Sequence, residues 1–119
     1  MNPSASAPNS LLIIDDHPVY REALGEMLLK EFSPFGIQVC TAGNASEGME
    51  LVEQSHQQWV VLLDVLMPGL SGLAGIKVFK EFHNVDQVVA ISGLDEHAWE
   101  PKAVSAGATM FLSDRKSVV

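Results

Sequence analysis

The sequence predicts an α/β domain built on an open, doubly wound, parallel five-stranded sheet of order 2-1-3-4-5. Three observations predict it. Five short apolar runs alternate with four helical patterns, the rhythm of strand–helix–strand crossovers. Several runs are continuously apolar, as strands covered on both faces are. Acidic or small polar residues close three of them, at the strand ends where such sheets bind ligands. A barrel needs more strands, and right-handed crossovers favour the open sheet.

The first run is Leu11 to Ile14, bounded by Asp15-Asp16. Tyr20, Ala23, Leu24, Met27 and Leu28 then mark one face of a helix, with Pro18 in its first turn. Ser33-Pro34-Phe35-Gly36 stops that helix. Ile37 to Thr41 reads as the second strand. Asn44 with Glu47 three residues on forms a capping pattern, followed by Ala45, Met49 and Val52 on one face. Trp59 to Leu63 is the third strand, and Asp64 to Ser71 a loop rich in Pro and Gly. The third helix covers Gly72 to His83, and the fourth strand Val88 to Ile91. Asp95 to Ala106 holds the fourth helix, which Pro101 either kinks or delays to Glu100-Pro101. Thr109 to Leu112 is the fifth strand.

One domain accounts for 119 residues. Hydrophobic residues at 47% against 18% charged exclude disorder of the whole. Seven Lys and Arg against fifteen Asp and Glu leave a net charge of −8. So acidic a surface argues against direct contact with a nucleic-acid backbone or an anionic membrane. The single cysteine, Cys40, excludes an intrachain disulfide and suits a reducing cytoplasm. Apolar stretches such as Leu11 to Ile14 and Val60 to Leu63 are too short to span a bilayer. Residues 1–10 lack the basic segment and apolar core of a secretory signal and read as a flexible tail; residues 11–119 form the domain.

The chemistry collects at strand ends. The first strand ends in Asp15-Asp16, the third in Asp64, the fourth in Ser92-Gly93. In the order 2-1-3-4-5 the sheet reverses between strands one and three, so both acidic ends flank one crevice. Any one of these residues would ordinarily be a helix or turn cap. Three carboxylates together repel one another unless a cation joins them, and a hard ion such as Mg²⁺ takes oxygen ligands. A carboxylate beside such an ion is a nucleophile toward phosphorus, giving an aspartyl phosphate. Ser92 would hydrogen-bond a phosphoryl oxygen, with Gly93 leaving space for it.

The segments Leu12-Ile13-Ile14-Asp15-Asp16-His17-Pro18 and Leu62 to Gly72, with Ala90-Ile91-Ser92-Gly93 and Ala106-Gly107-Ala108 in order behind them, resemble the response-regulator receiver domain of two-component signalling. The Asp-Asp-His-Pro start followed by Arg21-Glu22-Ala23-Leu24 is similar to the subfamily that precedes a LuxR-type helix-turn-helix. The resemblance covers about Leu11 to Asp114 and implies a flavodoxin-like fold. It implies that Asp64 is the phosphoacceptor and that Asp15, Asp16, Asp64 and the backbone carbonyl of Leu66 hold Mg²⁺. Ser92 matches the switch hydroxyl and Phe111 the switch aromatic. The phosphodonor would be a phosphohistidine on a sensor histidine kinase, in the cytoplasm. This chain carries no helix-turn-helix, so DNA would be reached only through a further C-terminal domain. One position departs: receivers carry a Lys three residues beyond the switch aromatic, and here that residue is Asp114. At an effective dielectric of ~20, a like-charge contact at about 4 Å is worth roughly 4 kcal/mol before screening. That is large against a conformational switch of a few kcal/mol.

The resemblance also implies a fifth helix, of which only Arg115 to Val119 remain. Its absence would expose apolar side chains of the first helix and fifth strand, giving marginal stability or a homodimer through that face. The other side chains have bland assignments. His17, His56, His83 and His97 lack metal-site spacing and read as surface or capping residues. Cys40, Met27, Met49, Met67 and Met110 read as core. Of Trp59 and Trp99, one is expected packed and the other exposed. The leading function is a phosphoacceptor switch. A degenerate receiver acting as a phosphate-independent interaction module is the alternative. An aspartyl-phosphate hydrolase is disfavoured, because Leu66 stands where its second Asp is needed.

Overall fold

The computed structural model describes residues 8–65, 72–92 and 96–113. The chain runs β1 (Ser10–Ile14), α1 (Pro18–Phe32), a 3-10 turn (Ser33–Phe35), β2 (Gln38–Ala42) and α2 (Ala45–Glu53). It continues through β3 (Trp59–Asp64), α3 (Gly72–Lys80), β4 (Val85–Ser92), α4 (Glu96–Ala106) and β5 (Met110–Ser113). Every strand pair is parallel and the order is β2-β1-β3-β4-β5, as expected.

Several boundaries differ from the sequence reading, each for a local reason. β1 takes in Ser10, which is fully buried and pairs with both Gln38 and Trp59. β2 and β5 each sit one residue later than the apolar runs suggest. β4 begins at Val85, three residues before its apolar run. A register irregularity opposite Trp59 and Val60 passes from Val85 to Gln87, so the polar Asp86 is accommodated without ending the strand. α3 stops at Lys80 rather than His83. Tight bonds from the Glu81 N–H to the Val78 carbonyl (3.1 Å) and the Phe82 N–H to the Phe79 carbonyl (3.2 Å) turn the chain toward β4. α4 starts at Glu96, so Pro101 lies inside the helix and the delayed start is not adopted.

Around α1 the buried stripe is rotated from the expected one. Gly25 is its buried residue; Tyr20, Leu24 and Leu28 are half-buried, while Ala23 and Met27 face solvent. Gly25 lets the helix close on the sheet. A Cβ there would lie 3.3 Å from Thr41 Cγ2 and 3.9 Å from Ile13 Cδ1. The opposite face of the sheet holds the main core. Leu12, Ile14, Val61, Leu63, Val88, Ala90 and Phe111 pack with Val52, Ile76, Phe79 and Ala103 from the helices. Trp59 is buried there, and its indole N–H reaches Ser55 Oγ at 3.3 Å. The Asn44 cap forms, Asn44 accepting from the Glu47 N–H (2.9 Å), while the Glu47 side chain reaches one residue further back and accepts from the Gly43 N–H (2.8 Å).

Cys40 and Met49 are half-buried and pack against this core, but Met27 and Met110 do not fill it; they are 55% and 45% exposed. Both lie on surfaces that no described element covers, together with Leu29 of α1 and Leu112 of β5. Met67 and the Trp99 side chain fall outside the described residues.

Candidate functional site

Strand register builds the site. Ile14 pairs with Leu63, so the residues that follow, Asp15 and Asp64, emerge side by side at the carboxyl edge of the sheet. Both are nearly buried, at 2% and 5% exposure, while Asp16 beside them is open to solvent. A ligand atom from each of Asp15, Asp16, His17 and Asp64 lies within 4.8 Å of the others.

Local bonds hold this edge in shape. The His17 N–H donates to Asp15 Oδ1 at 2.8 Å, an Asx turn that leads the chain into α1. Pro18 opens the helix, and the Arg21 N–H donates to the His17 carbonyl at 2.9 Å. Arg21 then reaches back, its Nη1 donating to the Asp15 backbone carbonyl at 2.8 Å. The guanidinium thereby ties the first turn of α1 to the end of β1.

His17 occupies the N-cap position of α1, yet its side chain makes no capping bond. Its Nδ1 instead lies 2.8 Å from Asp15 Oδ1, 3.3 Å from Asp16 Oδ1 and 3.8 Å from Asp64 Oδ2. The hydrogen bond with Asp15, then the negative charges of Asp15 and Asp16, raise the imidazole pKa above its ordinary value; Asp64 adds to the effect. The surface reading of His17 holds and the capping one does not: the ring is exposed, makes no cap to α1, and turns its Nδ1 toward the acidic cluster. The signal was its adjacency to Asp15-Asp16, which a search for histidine pairs passes over. Arg21 was also missed, because its contact is with backbone and leaves no motif.

Of the other expected site residues, Ser92 ends β4 one position beyond Ile91, the partner of Asp64. Its backbone therefore stands on the neighbouring strand at the same edge. Phe111 is two strands away from Asp64, 3% exposed and packed in the main core. Leu66, Gly93 and Asp114 fall outside the described residues. Three carboxylates offering oxygen ligands fit a hard divalent cation. No described helix is long and apolar enough to cross a membrane.

Comparison with known proteins places this geometry. Residues 11–117 match the response regulator receiver domain model. The response regulator GacA of Pseudomonas protegens is 30% identical over 87% of this chain and 47% of its own length. The chain spans about half the length of the curated relatives it matches. Among solved structures, a LuxR-family DNA-binding response regulator from Staphylococcus aureus superposes with a TM-score of 0.75 at 23% identity, covering 90% of this chain and 87% of that one. The receiver domain of a Saccharomyces cerevisiae response regulator, crystallised with its histidine phosphotransfer protein, superposes with a TM-score of 0.71 at 20% identity, covering 92% and 81%. At these identities the two structures support the fold. The acidic cluster is typical of a receiver Mg²⁺ site. On the match over residues 11–117, this chain belongs to the response regulator receiver domain family, phosphoacceptors rather than turnover enzymes.

Proposed function

We propose that Asp64 accepts a phosphoryl group from a phosphohistidine of a sensor histidine kinase or phosphotransfer protein, and that this changes a partner contact of the domain. The observation that carries the reading is the nearly buried Asp64 carboxylate, set beside Asp15 and Asp16 at the ligand edge of the sheet. An Asp64 oxygen attacks phosphorus, the O–P bond forms as the N–P bond breaks, and the donor imidazole leaves. Asp15, Asp16 and Asp64 would hold Mg²⁺, with the Leu66 carbonyl a further ligand as the resemblance implies. When bound, Mg²⁺ neutralises charge gathering on the transferring oxygens. Ser92 donates to a phosphoryl oxygen, and Phe111 couples that contact to the surface around β5. Transcriptional output, through a DNA-binding domain such as LuxR-family regulators carry, and a cytoplasmic location complete the proposal.

Asp114 supports a second reading, a receiver that works as an interaction module without phosphate, since a carboxylate replaces the cation that balances the phosphoryl group in receivers. Incubation with a small phosphodonor and Mg²⁺, followed by mass spectrometry, separates the two. The first reading expects one added phosphoryl group that Asp64→Asn abolishes. Labelling that persists in the Asn protein sinks the assignment of Asp64, and a wild type that takes no label favours the interaction module.

A further inference from the structure

We infer that the groove between α3 and α4 docks an acidic peptide segment of a partner protein. An apolar side chain of that segment sits on Leu73 and Ala106, and its carboxylates meet Lys77, Lys80 and Lys102. None of these residues belongs to the acidic pocket, and the inference does not depend on the chemistry of Asp64.

The first support is charge. The chain carries a net charge of −8 and only seven Lys and Arg. Leu73 and Lys77 of α3, with Lys102, Ser105 and Ala106 of α4, line one open groove of about 260 Å³. Lys80, one turn beyond Lys77, runs its stem past the end of α4: a Cβ on Gly107 would lie 3.3 Å from Lys80 Cγ and 3.9 Å from its Cδ. Three of the seven cations thus stand around one groove of an otherwise acidic protein. Among the described residues no carboxylate lines that groove, and neither Lys77 nor Lys80 forms an ion pair. Glu81 lines a separate hollow with Val78 and Phe82. Glu100 precedes Lys102 by two residues, a rotation of ~200° about the helix axis, so the two side chains leave α4 on different sides.

The second support is that the helix dipole explains only part of this cluster. Lys77 and Lys80 fall in the last turn of α3, where a cation meets the negative end of the helix. Lys102 has no such reason to be there, since it precedes the last turn of α4, which holds no basic residue. It stands on the wall of the groove opposite Lys77.

The third is the mixed chemistry of the lining. Leu73 and Ala106 are half-buried and continue the main core out to the surface. Lys77, Lys80, Lys102 and Ser105 beside them are exposed. A volume of about 260 Å³ falls below the ~300–1,000 Å³ usual for small-molecule pockets, and suits a single side chain better than a cofactor. A free phosphate would engage the lysines and leave Leu73 and Ala106 uncovered, whereas a peptide covers both. Lysines are mobile point charges rather than fixed forks, so they meet carboxylates at several positions along a segment. A nucleic-acid backbone is disfavoured by the net charge.

The test is amide NMR of the isotope-labelled full chain. It is titrated with a blocked peptide in which Glu residues flank a single Leu, with the matching Lys peptide, and with inorganic phosphate. The Glu peptide is expected to shift the amides of Leu73, Lys77, Ser105 and Ala106 saturably, and the Lys peptide to leave them unmoved. Lys77→Glu should weaken the Glu peptide at least ~3-fold, while Lys30→Glu, an equal change of net charge on α1, should alter its affinity by less than about 1.5-fold. The amide spectra report directly that each variant remains folded. Replacing the Leu of the peptide by Gly should also weaken binding. Absence of a saturable shift at the groove overturns the inference, as does an affinity that Lys77→Glu leaves unchanged. Phosphate that reproduces the shifts, together with a Gly peptide that binds as tightly as the Leu one, overturns it too, since the groove would then be a general anion site.

Discussion

Neutralising Asp64 should stabilise the metal-free protein even as it removes the proposed chemistry. The three carboxylates present ligand oxygens within 4.8 Å of one another. At that separation one like-charge pair costs ~3.5 kcal/mol at an effective dielectric of ~20. The Asp15 and Asp64 side chains are only 3% and 8% exposed, so their repulsion is little screened. Asp16 is 34% exposed, and its share is discounted accordingly. His17 offsets part of the remainder through its 3.8 Å approach to Asp64 Oδ2. The net gain for Asp64→Asn is about 2 kcal/mol, a rise in Tm of roughly 6–10 °C for a domain of this size. Thermal unfolding followed by circular dichroism in EDTA measures it. Adding Mg²⁺ reverses the ranking in part. A ligand at one hundred times its Kd stabilises by ~2.7 kcal/mol, and the Asn variant, lacking one ligand, gains less. An Asn protein no more stable than wild type in EDTA would refute this account, because the bonds made by the Asp64 carboxylate would then outweigh its crowding.

Three further outcomes are expected. Gly48→Ala places a Cβ 2.5 Å from Ile14 Cδ1 and 3.3 Å from Phe79 Cζ, both in fully buried side chains; overpacking of ~1–3 kcal/mol exceeds the helix-propensity gain of about 1 kcal/mol, and urea unfolding should show net destabilisation. Burial pushes the Cys40 thiol above its ordinary pKa, against a weaker opposing bond from Gln38; alkylation near neutral pH should lag a free thiol. Because the unfolded chain ionises first, the stability tied to Cys40 is present below pH 9 and declines as pH rises from there toward the folded pKa. Asp114→Lys should increase phosphoryl labelling or its lifetime, measured by mass spectrometry, and an unchanged yield and lifetime would mean that another cation already balances the phosphoryl group.

The parallel sheet and its order were legible because they depend on coarse signals: continuous apolar runs, helical spacing and acidic ends. Boundaries were less so. The apolar-run criterion breaks at Asp86-Gln87, although β4 continues through them opposite a register irregularity. The tilt of α1 was illegible for a different reason. A periodicity count looks for large apolar residues, whereas the helix turns inward the residue with no side chain, Gly25, because it must lie close to Thr41 and Ile13. Met27 falls to the exposed side as a result.

The same distinction divides the site. Asp15 and Asp64 could be found from sequence because topology alone brings them together: once β1 and β3 are neighbours, Ile14 beside Leu63 places the next residues side by side. His17 could not be found that way. Its position follows from a turn of three residues, where the Asp15 carboxylate accepts its N–H and Pro18 begins the helix. At the N-cap the ring makes no capping bond, and the three carboxylates beside it decide where it turns. An imidazole at a helix N-terminus as a cation meets the positive end of the helix dipole, an interaction worth typically 0.3–1 kcal/mol. The hydrogen bond to the nearly buried Asp15 carboxylate, helped by the charge of Asp16, opposes that dipole even though solvent screens the exposed ring, and the ring joins the acidic pocket. What the sequence shows as two acids and a neighbouring base is, in three dimensions, an imidazole facing three carboxylates, the third brought from β3.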